Sequence, residues 1–213
     1  RKRESGECDT IDQWIWMVAL NRLTGHSPGF FSVYTLPPNQ AVSPKSQQRI
    51  NARRRQEPEY RNSHRIILDK TRSLLRTITD ADRRNLARAG KSAVLLTRDA
   101  RDTPEIKDGS VRLTVTSPPF LDIVQYRNDN WLRCWFNGLD ADALGRQITM
   151  ARSIDEWTRV MGEVFAELFR VTAPGGFVAF EVGEVRKRTV RLEEHVIPLG
   201  VDAGFSCPSV IIN

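Results

Sequence analysis

The chain has few cysteines, few histidines and no long apolar run. Its three cysteines are widely spaced and odd in number, which is unlike a disulfide framework and favours a reducing compartment. No hydrophobic stretch approaches the roughly 18–20 residues of a membrane-spanning helix, and the charged start, RKRE, does not resemble a signal peptide. The three histidines have no partners suited to acid–base chemistry, and no pair of metal ligands is visible. These absences predict a cytoplasmic protein without a membrane partner.

Positive charge is concentrated in the first half of the sequence. Residues 1–110 contain 21 Lys and Arg against 13 Asp and Glu, whereas residues 111–213 contain 11 against 13. Residues 45–91 alone hold 14 basic and 5 acidic residues. A basic lobe beside a near-neutral one is typical of a surface that contacts a polyanion next to a small-molecule pocket. A solvated helical surface that is simply rich in arginine explains the same bias equally well.

Residues 1–92 are predicted to form a basic, mainly helical region. Apolar residues spaced three and four apart predict a helix from Thr10 to about Leu23. Residues 24–44 are rich in Gly, Pro and aromatic residues, so we expect an irregular loop there. From residue 45 to about 90 the pattern is helical and basic, with Asp80 as a candidate cap for the last helix. This region is a possible DNA-facing element.

An α/β pattern begins at residue 93 and continues to residue 213. Short apolar runs at 93–97 and 111–116 predict buried strands. Ser153 to about Thr172 is the clearest helix in the chain, because Ser153 and Glu156 are spaced as a capping box and a wide apolar stripe follows.

The end of this helix predicts the sheet topology. Pro174-Gly175-Gly176 stops the helix and turns the chain into a strand over residues 177–182, and residues 206–212 predict the start of another strand. A strand, a crossover helix and a further strand predict a parallel α/β sheet with a right-handed connection.

Polar segments follow three of the predicted strands. They are residues 98–102 (RDARD), residues 116–120 (TSPPF) and residues 181–184 (EVGE). Ligands of open parallel sheets bind beyond the carboxyl ends of the strands, so we expect these segments to line one edge. Each proline of TSPPF fixes its own φ and restricts the residue before it, which holds the Ser117 hydroxyl and the neighbouring carbonyls in place. Such a loop suits a flat group that carries an amine.

The TSPPF stretch resembles the catalytic loop of the amino-group DNA methyltransferases, which methylate N4 of cytosine or N6 of adenine with S-adenosylmethionine. The surrounding order is similar as well: a strand ending in Asp99-Ala100, a linker, the loop, a helix, the Pro-Gly-Gly turn and a strand ending at Gly183. The resemblance spans about residues 93–212. It implies an α/β fold with a Rossmann-like methyltransferase sheet, incomplete in this chain, after the helical basic region.

The resemblance also implies a role for each residue. Ser117 and the carbonyl of Pro118 would accept hydrogen bonds from the exocyclic amine of a base flipped out of the duplex, and Phe120 would stack on that base. Catalysis would then rest on positioning and electrostatics rather than on a strong base. The implied catalytic residues are Ser117, Pro118, Pro119 and Phe120; the implied cofactor contacts are Asp99, Ala100 and Thr116; and no metal is implied.

Two features refine the resemblance. A serine in the first position of this loop is associated mainly with cytosine, so Ser117 favours N4 of cytosine over N6 of adenine, although Phe120 stands where tyrosine is common. The glycine-rich Phe-x-Gly-x-Gly loop that holds the methionine end of the cofactor does not occur between residues 1 and 213. We therefore expect the remainder of a longer polypeptide to carry it. DNA is the expected partner of a bacterial, archaeal or phage-encoded restriction–modification enzyme.

Other interpretations remain open at this point. The chain could be a non-catalytic nucleic-acid-binding module derived from a methyltransferase. It could also methylate an RNA base or a protein amide, for which related loops usually begin with Asn. A Pro-Pro-aromatic sequence after a strand can be a stiff surface turn, and Asp99 is as well suited to forming a turn as to binding a ligand.

Overall fold

The described part of the chain combines helices with short parallel strands. The structure is a computed structural model that describes residues 6–25, 27–33, 42–119, 126–148, 151, 153–183 and 191–211. These residues confirm a mixed α/β protein. They divide into a first unit, Arg1–Ala93 with Gln125–Ile148, and a second unit, Val94–Val124 with Thr149–Asn213. None of the helices within the described ranges is long and apolar enough to cross a bilayer.

The first unit is largely helical. Its one described strand pair is parallel, and each of the two strands has only two residues. The elements are α1 (Thr10–Leu20), β1 (Thr24–Gly25), β2 (Ser32–Val33), α2 (Pro44–Arg54), α3 (Ser63–Leu75), α4 (Asp80–Ser92), α5 (Tyr126–Asn137) and α6 (Ala141–Gln147). The predicted irregular loop over 24–44 falls partly on this strand pair, and its residues 26 and 34–41 lie outside the described ranges.

Two tryptophans of α1 attach this helix to its neighbours. The Trp14 indole N–H donates to Thr71 Oγ1 of α3 at 3.1 Å, and the Trp16 indole N–H donates to Asn137 Oδ1 of α5 at 2.8 Å. Because an indole has one donor and no acceptor, a single partner satisfies each ring. The predicted helix is confirmed, but it ends at Leu20 rather than near Leu23.

The predicted basic helices are confirmed as α2, α3 and α4. Their N-caps are Ser43, Asn62 and Thr79, and each side chain accepts a hydrogen bond from a backbone N–H of the first turn. The prediction of Asp80 as the cap of α4 was wrong, because Thr79 and Asp82 form a reciprocal capping box one residue earlier. None of the residues of these three helices is buried, and all of their cations except the half-buried Lys70 are exposed.

The second unit contains the predicted strand–helix–strand order. Its elements are β3 (Val111–Thr116), α7 (Ile154–Val171), β4 (Thr172–Phe180) and α8 (Leu192–Asp202). Strands β3 and β4 pair in parallel, as the sequence predicts. Helix α7 starts where the capping box indicated, since the Ser153 side chain accepts from Glu156 N at 3.1 Å. The core lies between α7 and α8 and comprises Ala151, Trp157, Val160, Met161, Phe165, Leu192 and Val196.

The Pro-Gly-Gly sequence forms a bulge inside β4 rather than the boundary between helix and strand. Val111 pairs with Thr172 and Leu113 pairs with Phe177, so four residues of β4 lie opposite one residue of β3. Thr172 starts the strand directly after α7, and Ser110 N donates to Val171 O at 2.9 Å. Strand pairing therefore begins before the glycines, and this part of the prediction was wrong.

Two further predicted strands are not found among the described residues. Residues 93–97 and 206–211 have no strand partner among the described residues, and residue 212 lies outside them. Leu95 is 94% exposed. An apolar run becomes a strand only where a neighbouring strand completes its backbone hydrogen bonds. The predicted sheet consequently consists of β3 and β4 alone within the described residues.

The two faces of the β3–β4 pair differ in burial. On one face Phe180 packs against the core of α7 and α8. On the other face the paired residues Leu113 and Phe177 are 60% and 65% exposed, and Val115 is 74% exposed. Parallel sheets normally have both faces covered. This strand pair differs, because one of its faces is covered by the helices and the other is apolar and exposed.

Candidate active site

The Ser-Pro-Pro segment lies at the carboxyl end of β3. Ser117 is exposed, Pro118 is buried and Pro119 is partly buried. Burial of the first proline ring fixes the loop to the body of the unit, while the hydroxyl of Ser117 remains accessible to solvent. Phe120, the predicted stacking residue, lies outside the described residues.

The carboxyl ends of β3 and β4 lie side by side. Thr116 is the register partner of Phe180, and Glu181 N donates to Thr116 O at 2.9 Å. The segment that leads to Gly183 therefore leaves the sheet next to the segment that carries Ser117. The structure brings these two of the three predicted strand ends together at one edge.

Trp157 of α7 binds the loop directly. The side chain of Trp157 is 2% exposed, and its indole N–H donates to the carbonyl of Pro119 at 3.0 Å. That carbonyl is one residue beyond the Pro118 carbonyl that the resemblance assigns to the target amine. The bond links the start of α7 to the carboxyl edge of the strands.

Asp99 lies in an exposed turn and not at a strand end. Its carboxylate accepts three hydrogen bonds from Arg101: from the backbone N–H at 3.0 Å, from Nε at 2.9 Å and from Nη2 at 2.6 Å. The Arg101 guanidinium lowers the pKa of Asp99 to about 2. Asp99 is thus ionised at neutral pH and is held in a local turn, with Ala100 exposed beside it.

Helix α7 is the common support of the loop and of the Asp99 turn. Arg101 Nη1 donates to Glu163 Oε2 on α7 at 2.9 Å. Glu163 follows Trp157 by six residues, which is about 9 Å along a helix axis. The two parts of the predicted site are therefore attached to the same helix at separate points.

Glu167 and Arg170 attach the linker before β3 to the far end of α7. Glu167 Oε1 accepts from Thr103 N at 2.7 Å and from Arg170 Nη2 at 2.6 Å. Arg170 also donates to the carbonyl of Ile106 at 3.0 Å and to the carboxylate of Asp108. The hydrogen bonds from Arg170 and Thr103 lower the pKa of Glu167 to about 2.

The sequence alone did not identify Trp157, Arg101 or Glu163 as parts of this arrangement. Trp157 fits the apolar stripe of the helix, and the hydrogen bond of its indole N–H leaves no recognisable pattern in the sequence. Arg101 and Glu163 are 62 residues apart in sequence. The alternation of signs in residues 98–102 (RDARD) was the available signal that the Asp99 carboxylate would be paired locally.

The two cavities described lie entirely within the first unit. The larger has a volume of about 720 Å³, and apolar side chains of α1, α3 and α4 line it together with three cations. Neither cavity is lined by a predicted site residue. No cluster of three His, Cys, Asp or Glu side chains that could hold a metal ion occurs in the part of the chain that the structure describes.

A row of cations runs along α4. Arg84, Arg88 and Lys91 are exposed and spaced four and three residues apart, so they share one face of the helix. On α3, by contrast, the carboxylate of Asp69 pairs with Arg65 at 3.6 Å and with Arg72 at 3.2 Å. The row on α4 is therefore the stronger candidate for contact with a polyanion.

Comparison with known proteins adds no family assignment. No family model matches the chain, and neither the curated proteins nor the solved structures contain a significant match.

Proposed function

We propose that this chain is the target-amine part of an S-adenosylmethionine-dependent amino-group DNA methyltransferase with a Rossmann-like sheet, acting on N4 of cytosine in preference to N6 of adenine. The observation that carries the proposal is the placement of Ser117-Pro118-Pro119 at the carboxyl end of a parallel strand. Ligands of such sheets bind at this edge. The loop also resembles the amine-binding loop of these enzymes over positions 117–120, with Phe120 in place of the tyrosine that is common there.

The loop can perform the positioning that amine methylation requires. An exocyclic amine is a poor nucleophile because its lone pair is conjugated with the ring. Acceptors at the Ser117 hydroxyl and the Pro118 carbonyl would draw the two N–H bonds out of the ring plane and favour tetrahedral nitrogen. Because the prolines restrict the backbone, the acceptors need little reorganisation when the amine reacts.

The cofactor would supply an electrophilic methyl group. Asp99 fits a limited role in holding it: three of roughly four acceptor positions of the carboxylate are occupied by Arg101, which leaves one on Oδ2 for an adenine amine. Ala100 adjoins Asp99 in the exposed turn, whereas Thr116 is the last residue of β3. These three residues would hold only a small part of the cofactor. A glycine-rich loop formed by other residues of the protein would hold the rest.

The direct test is methyl transfer by the full-length protein. The protein is incubated with DNA of varied sequence and methyl-labelled S-adenosylmethionine, and the DNA is digested to nucleosides. We expect label on N4-methylcytosine, and about a hundredfold slower labelling with the Ser117→Ala variant at matched concentration. Absence of label from cytosine N4 and adenine N6 across all DNA substrates contradicts the proposal. Label on RNA or on a protein amide instead assigns the loop to a different planar amine.

A non-catalytic DNA-binding module is the second candidate. The solvent-facing cations of α2, α3 and α4 favour it, since they supply charge for phosphate contacts without any cofactor. The two candidates differ in one binding measurement on the full-length protein. Steeply salt-dependent DNA binding without calorimetric affinity for S-adenosylmethionine supports the second candidate, and cofactor binding removes it.

A further inference from the structure

Trp157 occupies an unusual position between the core and the loop. Its ring belongs to the buried cluster of the second unit, with Val160, Met161, Phe165 and Leu192 among its members. Its indole N–H nevertheless points out of this cluster to the Pro119 carbonyl at 3.0 Å, 38 residues away in sequence. The side chain of Trp157 therefore connects the core to the loop that carries Ser117.

The chemistry of the loop explains why such a bond is needed. Pro118 and Pro119 have no backbone N–H, so neither can donate a hydrogen bond to the sheet or to a neighbouring loop. The backbone of these two prolines can only accept hydrogen bonds, through its carbonyl oxygens. The donors must therefore come from other residues. An indole offers a donor and no acceptor, and leaving a buried N–H unpaired costs about 1–3 kcal/mol. The bond is consequently maintained as long as the ring is buried.

The backbone of Trp157 is itself fixed. Trp157 N donates to Ser153 O at 3.1 Å, which is the first hydrogen bond of α7, and the Ser153 side chain caps the same turn. Trp157 thus lies in the capped first turn of α7, where the main chain has little freedom. Its indole N–H reaches the carbonyl of Pro119, two residues after Ser117.

We infer that Trp157 is a positioning residue for methyl transfer, one that fixes the Ser117 hydroxyl and the Pro118 carbonyl through its bond to the Pro119 carbonyl. The inference rests on the proposed function. A displacement of about 1 Å in a positioned group can cost about a hundredfold in rate. Loss of the N–H alone is expected to lower kcat by at least about tenfold. The affinities for DNA and S-adenosylmethionine should stay within about twofold, because the Trp157 side chain is 2% exposed and offers no surface to a ligand.

The experiment separates the N–H from the ring. In the full-length protein, Trp157 is replaced by 3-benzothienylalanine, which has the shape of tryptophan with sulfur in place of N–H, and in parallel by phenylalanine. We expect the benzothienyl variant to unfold within a few degrees of the wild type while kcat falls. Val196→Ala, a substitution in the same buried cluster on α8, serves as the matched control and should lower Tm with kcat unchanged at a temperature where it is folded.

The outcomes distinguish this inference from the proposed function. If wild-type protein transfers methyl groups and the benzothienyl variant does so at the same rate, the inference is overturned and the proposed function stands. If wild-type protein transfers no methyl group, the proposed function fails, and the positioning is read from the amide resonances of Thr116 and Ser117 in ¹⁵N-labelled protein. Shifted resonances and faster amide exchange in the variant support positioning of Ser117, whereas unchanged resonances overturn it.

Discussion

Arg101 encloses the carboxylate of Asp99 with its own backbone N–H and with two guanidinium nitrogens, at 2.6–3.0 Å. This arrangement makes Asp99 a turn former whose charge is already paired. One acceptor position on Oδ2 remains for a ligand. The structure thus accommodates both sequence interpretations of this residue, and substitution can separate them.

Replacing Asp99 with alanine tests the cofactor role. If Oδ2 binds the cofactor, Asp99→Ala in the full-length protein should weaken S-adenosylmethionine binding by about fivefold to tenfold, the value of one hydrogen bond, with kcat at saturation largely retained. Asp102→Ala is the matched control, since Asp102 pairs with Arg98 at 2.8 Å in the same turn region. Equal effects of the two substitutions in calorimetric titrations contradict a specific role. With the pKa of Asp99 at about 2, its contribution should be constant from pH 5 to pH 8.

Removing the hydroxyl of Ser117 tests the amine acceptor. Ser117→Ala should lower kcat by about a hundredfold, as the loss of one hydrogen bond to a reacting group does elsewhere. Stability should change by no more than about 0.5 kcal/mol, because the side chain is exposed. Ser110→Ala is the control at the opposite end of β3, where the hydroxyl donates to the carbonyl of Lys107. A variant that retains full turnover removes Ser117 from the mechanism.

The ion pair of Glu167 should make the free energy of unfolding decrease as the pH becomes acidic. Its folded-state pKa of about 2 lies below the ordinary value of about 4.3. The contribution is complete above the ordinary pKa and is lost as pH falls through the folded value. Glu167→Gln should therefore destabilise the protein by about 1.5–3 kcal/mol at pH 7, and the difference from wild type should shrink between about pH 4.5 and pH 2.

Denaturant unfolding at several pH values measures this difference. The matched control is Glu163→Gln on the same helix, whose side chain is 44% exposed against 11% for Glu167. Exposed ion pairs contribute about 0–1 kcal/mol, so this control should have a smaller effect than Glu167→Gln at pH 7. A Glu167 variant as stable as wild type at pH 7 contradicts the assigned contribution.

Two glycines should respond oppositely to alanine. A Cβ at Gly176 would lie 2.9 Å from Ala173 O and 3.0 Å from Val111 O, both of them backbone atoms. Gly176→Ala should destabilise the second unit by about 1–3 kcal/mol. A Cβ at Gly90 of α4 would meet open space out to 4 Å among the described residues, so Gly90→Ala should be neutral or stabilising by about 0.5–1 kcal/mol. Thermal unfolding of both variants checks the contrast.

The cation row on α4 should determine the salt dependence of DNA binding. Each phosphate that is no longer neutralised should reduce the slope of log K against log salt by about 0.9. Replacement of Arg84, Arg88 and Lys91 by alanine should therefore flatten the slope by up to about 2.7. Arg72→Ala is the control, because Arg72 already pairs with Asp69, and it should change the slope less. An unchanged slope in the triple variant places DNA binding elsewhere.

The sequence-based predictions are accurate where the interacting residues are close together in sequence, and they fail where the interacting residues are far apart. The start of α7 was predictable because Ser153 and Glu156 lie within one turn, and the parallel β3–β4 pair followed from strand, helix and strand in sequence. Residues 93–97 were mispredicted because an apolar run does not reveal whether a neighbouring strand exists to pair with it. The bond from Trp157 to Pro119 was invisible for a related reason, since it joins residues that only the tertiary fold brings together.

The bulge divides β4 into two paired parts that have different structural roles. The pairing of Val111 with Thr172 joins the sheet to α7, whereas the pairing of Thr116 with Phe180 sets the edge that carries Ser117. Because four residues already lie opposite one, a change of chain length between Pro174 and Gly175 need not propagate to the carboxyl edge. Both residues are exposed. This point of β4 is therefore a natural place for inserting a peptide tag or a fluorescent reporter while the spacing at the candidate active site is preserved.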